Sequence, residues 1–244
     1  MNFTLSEDQL ELKQAAHAWL ADRFPLDRDW EEQDERWGEL EELGWLEVAE
    51  AGLGFVEEAL LLEELGYVCY PGFYLGHVAS ITGGGETATV DPTRPLGRPV
   101  EESPRFRAAA AAEALGVAQR ALDLGVEHAK TRTQFGKPIG TYQAVSHPLA
   151  QSYTDVELAR SLVYWAAWCV AEEDERAELA AAAAKAFATE AAVAACERSI
   201  QAHGGIGFTW EHPLHRFYKR AIWLEGFGVR PAELRLEVAN HVLP

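Results

Sequence analysis

The run Val156-Glu157-Leu158-Ala159-Arg160-Ser161-Leu162-Val163-Tyr164-Trp165-Ala166-Ala167-Trp168-Cys169-Val170 decides the fold. Within it Val156, Ala159, Val163, Ala166 and Val170 recur at helical spacing as one apolar stripe, and Leu158, Leu162, Trp165 and Cys169 form a second beside it. Apolar residues on two faces predict a helix buried between several neighbours, as in the centre of a bundle. The pattern extends back to about Tyr142 and forward to about Ala171. Upstream, alanines 108–112 with Leu115, Ala118, Leu122 and Val126 predict a long helix reaching about Lys130. Downstream, 177–202 is so rich in alanine that neighbouring helices can approach it closely. Shorter helices are expected over 212–224 and 231–241, with Pro231 well placed at a first helical position. Together these predict a mainly α chain built on a four-helix bundle over 104–244.

The N-terminal part also reads as helical. Ser6-Glu7-Asp8-Gln9 has the form of a capping box and opens a helix over about 6–22, which Pro25 stops. An acidic helix over 29–43 ending at Gly44, and a third over 55–65 ending at Gly66, follow. From 67 to 104, Pro71, Gly72, Gly76, Gly83-Gly84-Gly85, Pro92, Pro95, Gly97, Pro99 and Pro104 break the pattern too often for a helix. One or two short strands fit there, for instance over 87–90. The chain thus divides into a helical region at 1–75, a linker or remnant of something larger at 76–103, and the bundle at 104–244.

The 244 residues are 48% hydrophobic with a formal net charge of -18, which excludes a disordered acidic tail and promises a sizeable core. The charge is uneven: 1–103 holds 23 acidic against 6 basic residues, whereas 104–244 holds 16 against 15. The overall negative field argues against nucleic acid and anionic lipid as partners, while the balanced part can still offer arginines to a phosphate-bearing ligand. No apolar run is read as a membrane span of roughly 20 residues, and no basic-then-apolar leader opens the chain, so a soluble cytoplasmic protein is expected. Cys69, Cys169 and Cys196 lack C-x-x-C spacing and read as buried thiols in a reducing compartment.

Several chemistries are excluded by pattern. The sequence has no Glu-x-x-His for a di-iron bundle, no G-x-S-x-G and no phosphate-loop motif. His212 and His215 are three apart but lack further metal ligands beyond Glu211, so no metal site is expected. Gly204-Gly205-Ile206-Gly207 ends a long helix, where a dinucleotide fingerprint must follow a strand and open one.

Two segments carry a specific resemblance. Thr131-Arg132-Thr133-Gln134-Phe135-Gly136-Lys137-Pro138-Ile139, followed by Tyr142-Gln143-Ala144-Val145-Ser146-His147-Pro148-Leu149-Ala150, resembles the R-x-Q-F-G-x-P-I…Q-A-V-x-H-x-L-A signature of acyl-CoA dehydrogenases. Gln201-Ala202-His203-Gly204-Gly205-Ile206-Gly207-Phe208-Thr209, with His212-Pro213, resembles their second C-terminal signature. Asp91-Pro92-Thr93-Arg94-Pro95-Leu96 is similar to the end of the middle domain in actinobacterial members. The resemblance implies FAD as cofactor, held mainly by a neighbouring subunit. Arg132 and Phe135 would reach its diphosphate and adenosine side, with Gln143 in support and Gln201, Gly204 and Gly205 alongside. The chemistry suits those roles, since guanidinium pairs bidentately with diphosphate and glycines let backbone amides approach. The rival reading leaves Arg132 as a mere helix cap and the glycines as a mere helix end.

The family pattern also breaks. The middle β-domain of relatives, roughly one hundred residues, is reduced to a vestige at 76–103. The glutamate that removes the substrate's α-proton falls, by ungapped counting, on Gly228 within Phe227-Gly228-Val229. The position that a minority of relatives use falls on Phe106. No catalytic carboxylate is therefore expected at either place, and Glu225 is the one candidate that realignment offers. Glu113 reads as a buried structural partner. The resemblance implies a subunit of a hetero-oligomeric, FAD-linked acyl-CoA dehydrogenase acting on a steroid side chain or other bulky acyl-CoA, paired with a full-length acyl-CoA dehydrogenase-like chain and passing electrons to an electron-transfer flavoprotein or similar acceptor. The alternatives are a structural or regulatory homologue without flavin, and a homodimeric enzyme using Glu225.

Overall fold

The computed structural model describes residues 4–30, 36–48, 51–72, 74–81 and 102–243. Over these, α1 spans Glu7–Arg23, α2 Trp37–Glu42, α3 Phe55–Tyr67, α4 Tyr74–Ile81, α5 Pro104–Thr131, α6 Gln143–Ala171, α7 Ala177–His203, α8 Leu214–Gly226 and α9 Pro231–Val242. The capping box at Ser6 is formed on both sides, with the Ser6 hydroxyl accepting from the Gln9 N–H and the Gln9 side chain accepting from the Ser6 N–H. Ser103 caps α5 by accepting the Phe106 N–H, and Pro104 occupies its first turn, where a missing N–H costs nothing.

The core is the packing of α5 against α7, with α6, α3 and α8 around them. Alanines 108–112 of α5 are all fully buried, and so are Ala180, Ala181, Ala184, Ala188 and Ala192 of α7. Small side chains on both helices bring their axes close, so dispersion contacts replace bulky interdigitation. The approach of α3 to α5 is closer still. A Cβ added at Gly66 would overlap the backbone carbonyl of Glu113, and one at Gly116 would overlap that of Glu63. The two glycines thus let the helices cross at backbone contact. The three cysteines are buried and unpaired, as expected.

Four expectations need correction. The stretch 67–104 is not wholly broken: Tyr74–Ile81 is helical, and α4 runs through the expected 75/76 boundary. It follows Pro71 and Gly72 and contains Gly76, but Tyr74, Leu75 and Val78 bury an apolar face that offsets one glycine. The strand expected at 87–90, and most of 76–103, lie outside the described residues. The acidic helix expected over 29–43 is shorter, with α2 at 37–42 and Asp29, Trp30 and Arg36 outside any helix. Arg36 takes a left-handed conformation with φ 48°, which no helix continues. On α6 the first stripe is buried apart from half-buried Val170, but in the second only Cys169 is buried, Leu162 and Trp165 are half-buried against the core and Leu158 is exposed, so that face is covered only in part. Finally, the Ala177–Phe208 stretch is apolar and long enough to cross a membrane by composition. Its most apolar window is 67% buried in the bundle, which accounts for that composition.

Ion pairs inside the bundle fix its register. Glu113 and Arg220, both buried, pair across α5 and α8, and Arg220 also donates to the Tyr70 carbonyl at 2.9 Å. This is the structural role expected of Glu113. Glu63 on α3 gathers Lys13 of α1 at 2.6 Å, Arg160 of α6 and the Tyr164 hydroxyl at 2.8 Å.

Candidate functional site

The two signature segments meet at one end of the bundle. Arg132 closes α5, its N–H bonded to the His128 carbonyl, and the chain then turns through a two-stranded antiparallel hairpin, β1 Thr133–Gln134 and β2 Lys137–Pro138, with Thr133 opposite Pro138. Sequence reading missed this hairpin because its strands are two residues long and carry no alternation. The Phe135-Gly136 pair at its tip was the available signal, and both residues have positive φ, 52° and 80°. Phe135 is 92% exposed and meets Tyr142, the residue before α6, edge to face at 6.4 Å. Gln143 begins α6 beside it.

As expected, α7 ends at the glycines, with Gly204 as its cap, and Gly204–Phe208 then forms a 3₁₀ turn. His203 stacks on His128 with centroids 4.2 Å apart, joining this turn to the last turn of α5 next to Arg132, and His212 packs on His203 at 4.5 Å. The imidazoles are tethered. His203 Nδ1 bonds the Ser199 carbonyl at 2.8 Å, and His212 Nδ1 accepts the Leu214 N–H at 3.2 Å. Burial and the neighbouring His203 and His128 push the His212 imidazole down to about 4, and burial with His203 and Arg132 lowers His128. Of these histidines the sequence singled out only His212, which with His128 and His203 forms the joint between the two signatures.

Arg132, Phe135, Gln143, Gln201, Gly204 and Gly205 are all exposed. Arg132 makes no ion pair among the described residues, and a Cβ added at Gly204 or Gly205 would meet nothing within 4 Å. An open guanidinium, an open aromatic ring and open backbone amides suit the diphosphate and adenosine end of FAD. The apolar groove of about 600 Å³ between α5, the 139–141 turn and α6 is lined by Leu122, Val126, Leu149 and Tyr153 among others, and by none of the six.

The catalytic expectations fare differently. Gly228 has φ 73°, and Phe106 is buried against Phe227 with ring centroids 5.4 Å apart. Glu225 is half-buried at the end of α8, and burial together with Glu190 and Glu197 raises its carboxyl above the usual range. Among the described residues no group of three or more His, Cys, Asp or Glu is arranged to hold a metal ion.

Comparison with known proteins defines the class. Residues 103–228 match the acyl-CoA dehydrogenase C-terminal domain, and residues 6–86 match the acyl-CoA dehydrogenase N-terminal domain. The chain belongs to the acyl-CoA dehydrogenase family. It is 43% identical over 145 residues to the acyl-CoA dehydrogenase IpdE2 of Mycobacterium tuberculosis, an alignment covering 55% of this chain and 44% of that protein. The chain thus aligns with less than half the length of this relative. Its fold is shared with the ChsE4-ChsE5 complex of Mycobacterium tuberculosis, at a TM-score of 0.80 and 20% identity with full coverage of both chains. It is also shared with the Tcur3481-Tcur3483 steroid ACAD, at 0.77 and 24%, covering 97% of this chain and 98% of that one.

Proposed function

We propose that the chain is one subunit of a hetero-oligomeric acyl-CoA dehydrogenase, lending FAD contacts to a full-length family partner and supplying no catalytic base. The observation that carries this reading is the exposure of all six cofactor-directed residues, Arg132 among them with no ion pair to any described residue. A second surface has to complete such a site. Arg132 would hold the diphosphate, Phe135 would cover the adenosine side, and the Gly204-Gly205 amides would lie along the cofactor, with Gln143 and Gln201 in support. Bound FAD supplies the hydride acceptor for α,β-dehydrogenation of an acyl-CoA thioester, whose electrons pass on to an electron-transfer flavoprotein or similar acceptor. The likeness to a two-component complex and to a steroid ACAD supports a bulky acyl group, steroid side chains included. Glu225 is the carboxylate that realignment of the family pattern offers as a base in this chain.

Visible absorbance tests the reading. The chain purified alone is expected to be colourless, and to be yellow when co-purified with a family partner encoded beside it. Arg132→Ala in that complex should lower both FAD retention and turnover, by ten-fold or more for a lost charge-assisted diphosphate contact of about 1.5–3 kcal/mol. Colourless protein in both preparations would favour a flavin-free structural homologue. Loss of turnover in Glu225→Gln with folding intact would instead place the base here.

A further inference from the structure

The two places where family glutamates would fall, Gly228 and Phe106, converge in the structure. Phe106 packs on Phe227, and the ammonium of Lys185 lies over the Phe106 ring at 5.6 Å while donating to the Phe227 carbonyl at 2.8 Å. A carboxylate stands at this meeting point. Glu102 reaches in from just before α5, with its side chain only 8% exposed, and its Oε1 accepts from Lys185 Nζ at 3.0 Å and from the Val229 N–H at 2.5 Å. Its Oε2 accepts from Arg107 Nε at 3.2 Å, and Arg107 continues to Glu237 of α9 at 2.7 Å and Glu178 of α7 at 3.6 Å. A Cβ built on Gly228 would overlap Glu102 Oε1.

We infer that Glu102 has taken over the space of the missing base as an ion-paired seal, and that Glu102 and a side chain at position 228 exclude one another. The naming of this spot as a base position rests on the family reading above, whereas the exclusion rests on geometry alone. A proton-abstracting carboxylate needs an oxygen turned to substrate. Here three donors from α5, α7 and the 227–229 turn hold the carboxylate, and Lys185 is 1% exposed. Burial presses the Lys185 ammonium toward lower pKa and Glu102 opposes it, so each charge depends on the other. The seal ties α5, α7 and the loop before α9 into one closed joint and makes the chain silent as a base donor. Sequence reading missed it because Glu102 lies one helical turn before Phe106, in a segment read as linker.

A double-mutant cycle on the full chain tests this by thermal unfolding. Gly228→Glu alone and Glu102→Ala alone should each lower Tm by about 10 °C, the first by collision and the second by leaving Lys185 unpaired. The double variant should lose clearly less than the sum of the two, because the new carboxylate meets the vacated ammonium, while the left-handed backbone at 228, φ 73°, keeps a residual cost for any side chain there. If a single variant does not express folded, Glu102→Gln with Lys185→Met provides the second arm and should melt closer to wild type than Glu102→Gln alone. Additive losses, or singles without effect, would overturn the exclusion. Full Tm with turnover lost in the co-purified Glu102→Gln complex would overturn the seal and make Glu102 the base. The stability cycle needs no partner or flavin, so its failure is separable from failure of the hetero-oligomer reading.

Discussion

At the residue scale, the histidine stack and the Glu113–Arg220 pair make opposite demands on water. His212, pushed down to about 4 by burial and its histidine neighbours, sits below the ordinary imidazole value near 6.5. A group whose folded pKa is depressed contributes stability that is present above about pH 6.5 and is lost as pH falls toward 4. His212→Phe should therefore flatten the acid limb of the stability curve in that window relative to wild type, as chemical denaturation at pH 7, 5.5 and 4.5 would record. Buried Glu58 and Glu64 are raised, chiefly by desolvation, and titrate with the opposite sign, so the comparison must be between variant and parent. For the buried ion pair, Glu113→Ala leaves a guanidinium without its carboxylate and should cost about 3–5 kcal/mol, whereas Glu113→Leu with Arg220→Met should cost markedly less. Equal losses in the two variants would show that the pair itself, not the stranded charge, stabilises the core. Glu113 as a structural partner was legible in the sequence, since a lone carboxylate in an alanine-rich helix needs a buried cation. Which cation answered it was not, because Arg220 lies 107 positions away.

At the element scale, helix existence followed from local information and helix environment did not. The bundle helices were expected within a few residues of where they stand, because caps, alanine runs and 3.6-residue periodicity are properties of a single segment. The second stripe of α6 shows the limit. Leu158, Leu162 and Trp165 declare an apolar face, and the fold leaves that face partly open. The close crossing of α3 and α5 was equally hidden, since two glycines eleven and twelve residues from a helix start look the same whether or not another backbone lies against them. Gly116→Ala forces those backbones apart and should destabilise by about 1–3 kcal/mol, whereas the same change at exposed Gly205, where a Cβ meets only open space, should leave Tm within a degree or two. Similar losses at both sites would contradict the close contact.

At the scale of the whole molecule, the acidic first part and the balanced second part form a single core, in which α3 packs on α5 and α6 and α1 packs on α3. At that seam Lys13–Glu63, Arg160–Glu63 and Arg105–Glu58 place three cations on buried glutamates. Excess negative charge elsewhere repels itself and is screened within about 10 Å at 0.1 M salt. Raising sodium chloride from 20 to 300 mM should consequently raise Tm, and an unchanged or falling Tm would mean that the attractive pairs outweigh the repulsion.

The sequence by itself determined that this chain is a helical acyl-CoA dehydrogenase relative, because helix periodicity and two contiguous signature segments are written within short stretches. It also determined that glutamate is missing from both expected base positions, since that is a matter of residue identity. Only the tertiary structure decided what stands in that place, how the two signatures are joined, and which faces remain open. Glu102 meets Gly228 and Lys185 across 126 and 83 positions, and His128 meets His203 across 75. Such contacts are set by how helices pack against one another, and no local pattern encodes them.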